Sequence, residues 1–110
     1  MITLGVNTVL FGERDLRTAL ECIKRCGYDA AEISALPGMA EHLPLDRWRS
    51  VQREITALVE ELELPLTAME VGSNTRERLL PAFEAGAELG IPIVNVGPGA
   101  AKAPEGADPL

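Results

Sequence analysis

Four short apolar runs recur along this chain, at residues 2–7 (ITLGVN), 30–34 (AAEIS), 64–71 (LPLTAMEV) and 91–96 (IPIVNV), with a helical pattern between each pair. They begin at residues 2, 30, 64 and 91, so the intervals are 28, 34 and 27. Each interval has room for one strand, one helix and two connections, which makes the chain a βα repeat. Successive strands joined by helical crossovers lie parallel, so the expected class is α/β, a parallel sheet covered by helices.

The local signals agree with that division. Asp15 stands where its side chain can cap a helix that carries Leu16, Ala19, Leu20, Ile23 and Cys26 on one face, and Gly27 supplies the left-handed stop. Residues 35–45 hold two prolines and Gly38 and read as a loop. Asp46 opens a second helix with Trp48, Val51, Ile55, Leu58, Val59 and Leu62 on one stripe and Arg and Glu opposite. Asn74 with Glu77 resembles a capping box for a third helix through Leu89, where Pro81 must kink the helix or delay its start. Gly90 ends it, and residues 97–110 read as a loop or tail.

Two architectures satisfy this order: part of a (β/α)8 barrel of about 250 residues, or an open doubly wound sheet. At 110 residues the chain is one domain's worth, and about half a barrel. It stops just after its fourth strand with no helix to cover it, so the expectation is a single partial domain, the N-terminal half of a barrel. Unpaired edges at both ends of such a sheet predict a homo-oligomer or a missing C-terminal half as partner.

The charge narrows the function classes. A formal net charge of −7 repels phosphate backbones and anionic bilayers, so neither nucleic acid nor membrane is an expected partner. The apolar start has no cationic lead or cleavage site and meets Glu13, Arg14 and Asp15 at once, which points to a cytoplasmic chain. Cys22 and Cys26 lie four apart in one helix without further Cys or His pairs, and read as reduced structural thiols.

In either architecture chemistry gathers at the carboxyl ends of the strands. Polar residues stand there on every strand: Asn7 and Thr8, Glu32 and Ser34, Glu70, and Asn95. Glu32, between Ala31 and Ile33, needs a partner if its strand is buried; a role in the site and an ion pair to an Arg across the sheet are equal readings. Glu70 reads either as a substrate contact or as a solvated strand end. Asn7 and Asn95 can donate and accept to sugar hydroxyls, and also suit ordinary turns. His42, on the long loop, is either a surface histidine or a residue brought to substrate at the mouth. Gly97-Pro98-Gly99 is a tight turn rather than a phosphate cradle, because proline lacks the amide such a cradle uses.

The opening LGVNTVLF, the stretch ALECIKRCGYDAAEIS, the strand LTAMEV and the segment AGAELGIPIVNVGPG together resemble the first four βα units of the xylose-isomerase-like TIM barrels, the sugar phosphate isomerase/epimerase family. The most specific elements are Gly27-Tyr28-Asp29 before a strand with Glu32, and Glu88-Leu89-Gly90 before the fourth strand. The resemblance implies an isomerase or epimerase that moves a proton between neighbouring carbons of a sugar or sugar phosphate through an enediolate. It implies a divalent ion, Mn²⁺, Mg²⁺ or Zn²⁺, whose ligands come mainly from the second half of the barrel, so no metal ligand is expected here. It implies a wall of substrate contacts from Asn7, Glu32, Glu70 and Asn95, with Glu32 the candidate catalytic residue; His42 is a candidate substrate contact from its own place on the loop. Many relatives place His at the end of strand four, where this chain has Asn95. A non-catalytic half barrel, or a flavodoxin-like domain that binds a small molecule or itself, is the competing reading.

Overall fold

A computed structural model describes residues 2–97. Four parallel strands, β1 (Gly5–Asn7), β2 (Ala30–Leu36), β4 (Leu66–Glu70) and β5 (Ile93–Asn95), lie side by side in the order in which they occur in the chain. A two-residue strand, β3 (Ala40–Glu41), pairs antiparallel with the end of β2. An open doubly wound sheet needs a reversal of strand order, and none occurs among the described strands. Sequential order with crossovers of one hand puts every helix on the same face, leaving the other face as the wall of a barrel lumen. The helices α1 (Leu16–Arg25), α2 (Trp48–Leu62) and α3 (Arg76–Leu89) pack accordingly, α1 on α2 and α2 on α3.

Register sorts the strand residues between these faces. Val6, Ala31, Ile33, Met69 and Val94 are aligned toward the helices, where Leu20, Ile23, Ile55, Leu58 and Ala85 meet them in the core. Small residues Ala82, Ala85 and Gly86 let α3 approach closely; a Cβ at Gly86 would lie 3.4 Å from the Ile91 carbonyl oxygen. The lumen side carries Asn7, Glu32, Ser34, Ala68, Glu70, Ile93 and Asn95. Ile93 is 53% exposed there, and Ile2, Leu4 and Val96 are exposed near the two sheet edges.

Several local expectations need correcting. The first strand is only Gly5–Asn7, because Asn7 caps a 3₁₀ turn at Thr8–Phe11. Residues 35–45 are not all loop: β2 runs on to Leu36, Pro37-Gly38 makes a turn with Gly38 at φ 76°, and β3 folds back. Asp46 does not cap the second helix; it lies in a 3₁₀ turn, Leu45–Arg47, that precedes Trp48. The third helix starts at Arg76 after Thr75, with no capping-box bond, and runs through Pro81. That proline forgoes only the bond to the Glu77 carbonyl, and the buried face of Ala82 and Ala85 holds the helix. Asp15 caps α1 as expected, accepting the Thr18 N–H at 2.8 Å, which holds its carboxyl below the ordinary carboxylate value. The Gly97-Pro98-Gly99 turn and the tail lie, apart from Gly97, outside the described residues.

Gly12 ends the first 3₁₀ turn where it meets the β2–β3 hairpin. A Cβ there would come within 2.7 Å of the Met39 carbonyl oxygen. Gly12→Ala is therefore expected to push the turn and hairpin apart and lower stability by about 1–3 kcal/mol, read by urea unfolding with an unchanged slope.

Candidate functional site

The parallel register brings one polar residue from each strand to the same end of the lumen face. Asn7 is aligned with Glu32, and Glu70 with both Ser34 and Asn95. These side chains bond to one another. Asn7 Nδ2 donates to Glu32 Oε1 at 3.1 Å and also to Glu70 Oε2. Asn95 Nδ2 donates to the second oxygen of Glu32. One amide thus bridges two carboxylates, and one carboxylate is held by two amides.

The orientation of Asn7 follows from its other task. Its Oδ1 accepts the Val9 N–H at 2.9 Å, capping the 3₁₀ turn. An N–H needs an oxygen opposite it, so the amide nitrogen must face the carboxylates. Asn7 thereby ties the start of the mouth loop to the middle of the sheet. Glu32, Glu70 and Asn7 are half-buried, and Asn95 is exposed. Among the described residues the other Glu70 oxygen and Asn95 Oδ1 have no protein hydrogen bond, leaving acceptors open to the lumen.

Glu32 is not paired with an Arg across the sheet. The ion pairs among the described residues, Arg17 with Glu21 and Glu61, and Arg49 with Glu84, are exposed helix-surface pairs. Neutral donors compensate both carboxylates instead. Arg78, in the first turn of α3, donates at 2.9 Å to the Ala35 carbonyl at the end of β2. Among the described residues it is the cation bonded to a strand end.

His42 is placed differently from the other four. Its Nδ1 lies 2.8 Å from Thr8 Oγ1 and its Nε2 2.8 Å from the Arg14 carbonyl oxygen. Both ring nitrogens are engaged, and no hydrogen bond joins the ring to the Asn7–Glu32–Glu70–Asn95 group. Thr8 is fully buried and also accepts the Ser34 N–H at 2.9 Å, so it links the mouth loop, β2 and His42. Ser34 Oγ is buried beside this link without a partner among the described residues. Thr8→Val keeps the volume but strands the Ser34 N–H and the imidazole; stability should fall by about 1–3 kcal/mol in thermal or urea unfolding.

The donor set does not fit a divalent metal ion on its own. Metal sites need three or more oxygen, nitrogen or sulfur ligands, and among the described residues no such group of His, Cys, Asp and Glu forms. Asn7 turns its nitrogen to the carboxylates and spends its oxygen on Val9, which removes it as a ligand. What the arrangement offers is a row of carboxylate and amide groups that can take hydrogen bonds from several hydroxyls at once.

Sequence reading found the four strand-end residues but missed the second task of Asn7 and the roles of Thr8 and Arg78. The run Asn-Thr-Val-Leu-Phe carried a signal, an Asn before a short apolar turn with Thr inside, while the Arg78 contact depends on tertiary packing.

No protein-family model and no curated protein matches the chain. Solved structures do. The apo form of a 3-keto-D-glucoside 4-epimerase from E. coli superposes with a TM-score of 0.60 at 22% identity, over 86% of this chain and 37% of that one. A xylose isomerase-like TIM barrel/4-hydroxyphenylpyruvate dioxygenase fusion protein gives 0.59 at 21%, over 86% of this chain and 16% of that one. The chain thus spans well under half the length of each of these neighbours. Its fold is that of part of a xylose-isomerase-like TIM barrel, four sequential parallel strands with three helices among the described residues.

Proposed function

We propose that this chain supplies the substrate-binding wall of a sugar isomerase or epimerase, the residues Asn7, Glu32, Glu70 and Asn95 gripping the hydroxyls of the sugar. The observation that carries the proposal is the single hydrogen-bonded network that these four side chains form at the carboxyl end of the strands. Its open acceptors suit hydroxyl donors at neighbouring carbons, and among the described residues no ion pair brings a cation to its carboxylates to share with a phosphate. A phosphate group on the sugar would therefore point away from this row, and the neutral polyol part would lie along it. The structural neighbour named as a 3-keto-D-glucoside epimerase supports the same class of substrate.

In such a reaction a proton leaves a carbon beside a carbonyl and returns to that carbon or its neighbour, through an enediolate. Glu32 is the residue whose charge serves this step, held by two amides on a strand rather than on a loop, which fixes its direction. Asn7 ties the two carboxylates together, and Asn95 holds the second oxygen of Glu32. A divalent ion, where the reaction uses one, takes its ligands from outside this chain. Calorimetric titration of the chain with Mn²⁺ and Zn²⁺ should accordingly give only weak heats, and tight stoichiometric binding would contradict that division.

The sheet edges and lumen face, with Ile2, Leu4, Ile93 and Val96 exposed, fit association with a second copy or with a complementing half barrel. The sugar-binding reading is tested by saturation-transfer NMR. Neutral ketoses and keto-glycosides should receive magnetisation from the chain while a ketone of similar size without hydroxyls does not; equal transfer to both would overturn it.

A further inference from the structure

We infer that His42 is a positioning residue for the Asn7 clamp, working as a neutral imidazole that latches the segment after β1 and lets go when protonated. The inference rests on the assignment of Asn7 to the proposed site. Its ground is a hydrogen-bond chain in which every group has one consistent role. The Arg14 carbonyl can only accept, so Nε2 of His42, 2.8 Å away, carries the proton. Thr8 Oγ1 accepts the Ser34 N–H at 2.9 Å and has its own hydroxyl proton left to give to Nδ1, also 2.8 Å away. The neutral tautomer with the proton on Nε2 satisfies all three contacts.

Protonation adds an N–H at Nδ1, facing the Thr8 hydroxyl proton. Thr8 must then turn its O–H elsewhere, and its side chain is fully buried. The charged residues nearest in the chain to the ring and its partners are Glu13, Arg14 and Asp15 on the segment before α1, Arg17 in the first turn of α1, and Glu41, which precedes His42. The Asp15 carboxyl, held low mainly by the Thr18 N–H and hydroxyl, is lowered further by Arg17 and by charge on His42. A protonated ring therefore keeps Thr8 only as an acceptor, with the hydroxyl proton redirected inside a fully buried site, and this weakens the latch.

The consequence reaches the site through one residue. Thr8 opens the 3₁₀ turn that Asn7 caps, and the Val9 N–H within that turn decides which atom of the Asn7 amide faces Glu32 and Glu70. When the latch opens the cap loosens, and the amide is free to rotate off the carboxylates. His42 then sets the geometry of the site without touching a substrate.

The experiment is long-range proton–nitrogen NMR on the free chain, without sugar, from pH 8 to pH 5. At pH 8 the His42 ring should show the tautomer protonated at Nε2, and on acidification the Asn7 side-chain amide resonances should move with the same midpoint as the ring. In His42→Ala the Asn7 amide pair should lie near the positions of exposed amides and lose that pH dependence. A ring protonated at Nδ1 at pH 8, or Asn7 resonances that stay still while His42 titrates, would overturn the inference; both are read on the unaltered chain, so a variant that fails to fold does not blunt the test. Because no sugar is present, failure here leaves the sugar-binding reading intact, and failure of sugar binding leaves the latch intact.

Discussion

Asn7→Asp is expected to be the most damaging single change at the lumen face, lowering stability by about 3 kcal/mol or more at neutral pH. The amide it removes makes two hydrogen bonds to carboxylates, each charge-assisted and of the kind worth about 1.5–3 kcal/mol. The carboxylate it introduces stands against Glu32 and Glu70 with no donor between them, and no described ion pair brings a cation to them. Asn7→Ser separates the two tasks of this residue. Serine still caps the 3₁₀ turn by accepting from the backbone but cannot bridge the carboxylates, so it should cost about half as much. Equal stability of Asn7→Asp and the unaltered chain in urea unfolding would mean that the bridge does not form in solution.

Glu32→Gln is the second large effect, and its direction follows from counting donors. Each oxygen of Glu32 accepts one amide, from Asn7 and from Asn95. Glutamine has a single oxygen, so its NH₂ must face one of the two asparagine NH₂ groups, and one bond becomes a donor–donor clash. Stability should fall by about 1–3 kcal/mol. On the proposed function, in a complex with a complementing half barrel, catalytic efficiency should fall by about tenfold to a thousandfold, equivalent to ~1.4 to 4 kcal/mol of transition-state stabilisation. Lost stability with turnover intact would leave Glu32 as a structural carboxylate only.

The parts legible in the sequence were those with a local cause. The βα order followed from period and spacing, and Gly27 and Gly90, at φ 88° and 72°, end helices where a left-handed residue was expected. The strand-end positions of Asn7, Glu32, Glu70 and Asn95 followed from the same spacing, since parallel strands of equal phase deliver their last residues to one edge. Their bonding to one another did not, because it depends on a register in which Glu70 is aligned with both Ser34 and Asn95, with a shift between Ala31 and Glu32. The ends of α2 and α3 were misread for a related reason. Asp46 and Asn74 are good capping residues by type, yet buried Leu45, Trp48 and Ala82 fix where those helices dock, and the backbone adjusts with a 3₁₀ turn and an uncapped start. The β2–β3 hairpin was signalled by Pro37-Gly38 but is too short to show strand alternation.

A grip for sugar hydroxyls formed by Asn7, Glu32, Glu70 and Asn95 can be observed at its own donors. The side-chain amide resonances of Asn7 and Asn95 report the two donors of the network, and they can be followed while a neutral ketose or a keto-glycoside is added at constant pH. Both pairs should shift together and saturably with the sugar, inorganic phosphate should leave them in place, and Glu70→Gln should weaken the response. Resonances of Asn7 and Asn95 that stay fixed at sugar concentrations saturating other parts of the chain would mean that these four side chains do not hold the sugar.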